Sequence, residues 1–205
     1  MTDQTSLHPA DQALHRLLTG NRRFSAQQSI HPNQTLDRRL EIARAQKPLA
    51  MLLGCVDSRV PLEIIFDCGL GDLFVIRTAG QVIDRAVVGS LEFGVAELHI
   101  PLLVVLGHAR CGAVIATIEA MDHNLEPEAD IQALVDAIRP AVAIAETQPG
   151  DRIANSVRVN IELVIERLLS SPVLSNAIEK GNLKIVGAHY ALETGVVEVY
   201  ASSTS

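Results

Sequence analysis

The sequence predicts an α/β fold: a mostly parallel central sheet flanked by helices, with an N-terminal helical arm. Three observations lead there. Leu49–Val56, Leu73–Ile76 and Pro101–Gly107 are short, almost uninterrupted apolar runs, the pattern of parallel strands covered on both faces. Between them the apolar period lengthens to that of a helix, with Val87, Val88, Leu91, Val95 and Leu98 on one segment and Ala113–Met121 on another. Strand and helix therefore alternate, and the right-handed crossover stacks the strands in parallel.

The first 47 residues are the polar part of the chain. They open with an amphipathic helix whose Leu14, Leu17 and Leu18 share a face, followed by Phe24. A Ser-, Gln-, His-, Pro- and Asn-rich loop runs from Ser25 to Thr35, and a charged helix is expected from Leu36 to Gln46, ahead of Pro48. Residues 1–47 read as an arm that packs on something else, and 48–205 as the α/β core of a single domain spanning 1–205. Further on, Ile131, Leu134, Val135 and Ile138 mark one core-facing helix, and Ile153, Val157, Ile161, Ile165 and Leu168 another. Pro140, Pro149-Gly150 and Pro172 are expected to break these segments. Leu183–His189 and Val196–Tyr200 alternate as a closing hairpin joined by Glu193-Thr194-Gly195.

Composition narrows the function classes. With 205 residues, 48% apolar and 20% charged side chains, the chain suits one globular domain rather than disorder. A net charge of −7, with 17 scattered Lys and Arg, opposes binding to a phosphate backbone, so no nucleic-acid partner is expected. No apolar run approaches the roughly 20 residues of a spanning helix, and the first residues lack a basic leader and an apolar h-region. The expected setting is cytoplasmic, with no membrane partner. Cys55, Cys68 and Cys111 are too few and odd in number for a disulfide framework, leaving ligand, nucleophile or core roles.

Cys55 ends one apolar strand and His108-Ala109-Arg110-Cys111 ends another, which in an open α/β sheet puts both in the crevice at the carboxyl ends of the strands. Two thiolates and an imidazole suit Zn²⁺, one ion per subunit. Three protein ligands rather than four leave a position for water, as in catalytic sites. A buried structural cysteine is the bland alternative. Against it stands Asp57-Ser58-Arg59, because a charged pair at the end of a buried strand needs mutual pairing or a metal to face. Gly112 opens a helix directly after Cys111, so backbone N–H groups there would welcome an anion, or the glycine only allows close packing.

These residues resemble a known family. Cys55-Val56-Asp57-Ser58-Arg59-Val60, Phe74-Val75-Ile76-Arg77-Thr78-Ala79-Gly80 and Gly107-His108-Ala109-Arg110-Cys111-Gly112, with their spacing, are similar to the β-class carbonic anhydrases over most of the chain. The resemblance implies that Cys55, His108 and Cys111 bind zinc and that Asp57 and Arg59 form a catalytic dyad in the hydration of CO₂ to bicarbonate by zinc-bound hydroxide. It implies that Gln46 hydrogen-bonds substrate and that Phe74, Ala79 and Phe93 wall the substrate pocket. It also implies homodimers whose interface lines the active site, and sometimes homotetramers or larger. Phe93 stands where plant-type members often carry tyrosine, and Gln81 where many bacterial ones carry asparagine. An inhibitory bicarbonate pocket found in one branch uses a tryptophan three residues before the first cysteine. Leu52 holds that position here and the chain has no tryptophan, so that regulation is expected to be absent. Alternatives of the same scaffold are a carbonyl sulfide or carbon disulfide hydrolase and a non-catalytic zinc-binding subunit.

Overall fold

A computed structural model describes residues 7–202. Five strands form one sheet: β1 (Ala50–Cys55), β2 (Leu73–Thr78), β3 (Leu102–His108), β4 (Lys184–Tyr190) and β5 (Val197–Ser202), in the order β2-β1-β3-β4-β5. The first four are parallel, and β5 closes the sheet antiparallel to β4, as the hairpin pattern predicts. The chain leaves β1 for β2 on one side and returns to β3 on the other. The crevice between the carboxyl ends of β1 and β3 is thus the topological switch point, where ligands sit in open α/β sheets.

Every residue of β1 and β3 is buried, which is why their sequences do not alternate. Met51, Leu53 and Cys55 face one core, shared with α4 (Arg85–Ala96), α5 (Gly112–Asp122), α6 (Ile131–Ala145), α7 (Arg152–Leu169) and α8 (Pro172–Glu179). Ala50 and Leu52 face the other, shared with α1 (Pro9–Ser25) and the four-residue α3 (Leu62–Ile65), which sequence periodicity is too short to reveal. Gly107 lets α7 lie tight against the end of β3, since a Cβ there would stand 2.5 Å from Ile161 Cδ1.

Three expectations need correction. The first helix is not packed on something else: α1 buries Ala10, Ala13, Leu17, Gly20 and Asn21 against its own core. Small residues flatten that face, so the backbone approaches until a Cβ on Gly20 would stand 1.9 Å from the Phe66 carbonyl oxygen. The second helix, α2 (Leu36–Ile42), stops four residues before Gln46. Nothing on it is buried, and Pro48 steers Lys47 away from helical backbone. Pro140 does not break its helix but lies inside α6, on an exposed face, while Ile138, Ala141, Val142 and Ala145 seat both flanks in the core. Pro149-Gly150 does separate α6 from α7, and Pro172 opens α8 at its first turn, where its missing N–H costs nothing.

Candidate metal centre

Cys55 is the last residue of β1, His108 the last of β3, and Cys111 caps α5. Their ligating atoms lie within 4.8 Å of one another, all buried, and the two sulfurs are 4.0 Å apart. Two sulfurs held at 2.3 Å by a tetrahedral zinc would stand about 3.8 Å apart. The Ala109 carbonyl accepts from His108 Nδ1 at 2.9 Å, so Nδ1 carries the proton and Nε2 presents its lone pair. Nε2 is buried with no hydrogen-bond partner among the described residues, a costly arrangement that a cation relieves. Donor set and orphaned nitrogen together fit a divalent ion of zinc's kind.

The thiols are primed unequally. Hydrogen bonding from Cys111 draws the Cys55 pKa down to about 4 against the opposing effect of burial, with the N–H groups of Gly80 and Asp57 helping. Sharing with Cys55, then burial, push Cys111 up. The proton they share is the one a metal ion displaces. The first-turn N–H groups of Ala113 and Val114 face Cys111, so the positive end of the helix dipole is turned on that sulfur. A Cβ on Gly112 would meet nothing among the described residues within 4 Å, so close packing within the chain is not the reason for that glycine.

Asp57 and Arg59 meet as a fork. Arg59 Nε donates to Oδ1 at 2.9 Å and Nη2 to Oδ2 at 2.7 Å, while the Arg59 backbone N–H adds 2.9 Å to Oδ1. These bonds, led by the Arg59 side chain, hold Asp57 down at about 2 against partial burial, so it is ionised across the working range. Its Oδ2 lies 3.8 Å from His108 Nε2, at the edge of the ligand set. Arg59 Nη2 also reaches the Arg110 carbonyl at 3.2 Å, tying the two ligand-bearing loops together. Arg77, which sequence reasoning left without a role, donates to the carbonyls of Cys55 and Asp57 at 2.7 Å each. An arginine directly after the apolar run Leu73–Ile76 was the available signal.

Of the substrate residues, Ala79 adjoins the cluster: it follows Thr78, which pairs with Cys55, and precedes Gly80, whose N–H is 3.4 Å from Cys55 Sγ. Gln46, Phe74 and Phe93 are not brought there within one chain. Phe74 pairs with Met51, four residues below Cys55, about 13 Å along the strand. Its ring stacks on that of Phe93, 6.5 Å between centroids, and Phe93 is half exposed on α4. Gln46 lines a groove of about 1440 Å³ with Leu49, Pro101 and Asn182, at the amino ends of β1, β3 and β4. Of the other histidines, His31, His99 and His123 are exposed. His189 is half-buried, level with Gly107, and burial lowers its pKa.

A doubly covered parallel sheet with a Cys-His-Cys group able to hold a metal ion and a carboxylate–arginine fork at its switch point has the make-up of an α/β enzyme. The family profile described as carbonic anhydrase matches residues 50–197. A carbonic anhydrase of Mycolicibacterium smegmatis is 42% identical over 184 residues, 89% of either chain, and carbonic anhydrase 2 of Mycobacterium tuberculosis is 43% identical over 180 residues, 87% of either. Among solved structures, the β-carbonic anhydrase CcaA superposes with a TM-score of 0.71 at 25% identity, covering 91% of this chain and 87% of its own. One of the tetrameric β-carbonic anhydrases of Sordaria macrospora reaches 0.74 at 21% identity, covering 93% and 98%. The chain belongs to the β-class carbonic anhydrase family of enzymes. No helix of the described residues is long and apolar enough to cross a membrane.

Proposed function

We propose that this enzyme reversibly hydrates CO₂ to bicarbonate on one zinc ion held by Cys55, His108 and Cys111, with Asp57 and Arg59 as its dyad. The observation that carries the reading is the buried, partnerless His108 Nε2 within reach of two sulfurs and beside Asp57. Bound zinc supplies a Lewis acid that makes a water-derived nucleophile available near neutral pH. Asp57 accepts a hydrogen bond from that nucleophile and turns its lone pair toward the substrate carbon. Arg59 occupies both carboxylate oxygens and keeps Asp57 from closing on the metal. Ala79 and Gly112 border the space where the small, uncharged substrate sits.

Gln46, Phe74 and Phe93 act on the centre of a neighbouring subunit in a homodimer or larger homo-oligomer. What supports this is their distance from their own cluster and the exposure of Phe93. A cytoplasmic location keeps the thiols reduced.

Metal analysis with stopped-flow CO₂ hydration tests the reading, with carbonyl sulfide as a parallel substrate. One zinc per subunit and hydration that outpaces carbonyl sulfide turnover are expected. Purified protein without zinc, or faster turnover of carbonyl sulfide, overturns it.

A further inference from the structure

α7 buries Asn160 within an apolar stripe that includes Val157, Ile161, Val164 and Leu168. A carboxamide is costly there unless hydrogen-bonded. Its Nδ2 donates to the Gly80 carbonyl at 2.9 Å, and the Gly80 N–H in turn donates to Cys55 Sγ at 3.4 Å. Gly80 sits at φ 60°, ψ 24°, in the left-handed region, and a Cβ there would stand 2.7 Å from Ile138 Cδ1. Only glycine fits, and glycine is also the residue least able to fix its own peptide planes. Their orientation is set by what grips them. Thr78 Oγ1 closes the turn by donating to the Val82 carbonyl at 2.6 Å, and Asn160 holds the Gly80–Gln81 peptide. With both ends held, the Ala79–Gly80 peptide aims its N–H at the sulfur.

We propose that Asn160 is a positioning residue for Cys55, acting through the Gly80 turn to direct one backbone N–H at the ligand sulfur. Such a bond draws charge from the thiolate, leaves the ion a stronger electrophile and fixes where the sulfur points. Burial explains why an amide on α7 must be bonded. The relay explains why its partner is this carbonyl, on a turn 80 residues away. The inference rests on the zinc assignment of the Cys55–His108–Cys111 trio.

The test measures zinc affinity by chelator competition, and the thiolate-to-metal charge-transfer band of the cobalt(II)-substituted full-length enzyme. Wild type is compared with Asn160→Leu, Asn160→Gln and Ser156→Ala. Ser156 is equally buried on α7 but donates to the Arg152 carbonyl of its own helix. Asn160→Leu is expected to weaken zinc binding by about 10- to 100-fold and to move the band. Asn160→Gln should recover part of both, and Ser156→Ala should match wild type. Wild-type affinity and band in Asn160→Leu overturn the inference, as does an equal change in Ser156→Ala. Should Asn160→Leu fail to fold, the cadmium-113-loaded wild type decides by NMR. A through-sulfur coupling to the Gly80 amide proton supports the relay, and its absence while the Asp57 amide couples sinks it. A wild type that holds no metal overturns the zinc assignment too, whereas full loading with unmoved variants overturns this inference alone.

Discussion

Two regions of this molecule combine a buried cysteine, an aspartate and an arginine, and they serve opposite ends. Around Cys55, sulfurs and a nitrogen converge, and His108 Nε2 is left without a partner. Around Cys68, polar groups are matched. Asp67 accepts from Arg23 Nε at 2.6 Å and from the N–H groups of Ile30 and His31. Asp72 accepts from Arg16, from Asn33 Nδ2 and from the Gly69 N–H. Cys68 donates to the Phe66 carbonyl, and burial pushes its thiol up to about 12. The first region is frustrated in a way that an ion satisfies. The second is saturated, and it fastens the segment between α1 and α2 to the loop after α3. Residue types alone do not make a reactive site; unmet valence does.

The largest difference between the two regions should appear on removing the sulfurs. Cys55→Ser is expected to lose zinc and essentially all CO₂ hydration together, while Cys68→Ser keeps one zinc per subunit and near-normal turnover. Elemental analysis and stopped-flow rates check this, and retained activity in Cys55→Ser breaks the contrast.

The carboxylates come next. Asp57→Asn should lower kcat/KM by a hundredfold or more with metal content unchanged, because the amide is a poorer acceptor and loses the Arg59 fork. Asp67→Asn should leave the rate per zinc intact and cost about 2 kcal/mol of stability in urea unfolding, since it weakens charge-assisted bonds in a buried place. A rate defect in Asp67→Asn would show that the saturated region reaches the chemistry.

The smallest effect is acid sensitivity. Burial raises the Asp67 pKa, but the Ile30 N–H, Arg23 and the His31 N–H outweigh it and hold the carboxyl below its usual value. A depressed folded-state pKa adds stability that is present above the unfolded value of about 3.9 and lost as pH falls through the folded one. Wild type should therefore lose stability more steeply than Asp67→Asn below about pH 4, as followed by urea midpoints. Equal slopes would mean that Asp67 titrates normally.

The sheet and its catalytic end were legible because both rest on local signals. Unbroken apolar runs mark buried parallel strands, and Cys55, Asp57, Arg59, His108 and Cys111 each sit at or just past a strand end. What escaped notice depends on distant partners. The seat of α1 is made by small residues, Ala10, Ala13 and Gly20, which carry little hydrophobic signal against the neighbouring leucines. Asn160 and Arg77 look like ordinary polar residues until the carbonyls of Gly80, Cys55 and Asp57 arrive beside them. Pro140 misleads because its local penalty is outweighed by the core contacts of residues on either side. For Gln46, Phe74 and Phe93 the sequence names chemistry that one chain does not bring to its own centre.

Asn21 on α1 donates to the carbonyls of Ile65 and Gly195 and accepts from the Val197 N–H, so the first helix is stitched to the last strand. On the ribosome, α1 emerges long before its anchor exists. Its apolar stripe can settle on β1, α3 and β3 as they form, but the Asn21 bonds to Gly195 and Val197 close only once residues near 197 have been translated. Loss of the segment that carries Gly195 and Val197 would therefore loosen α1 as well.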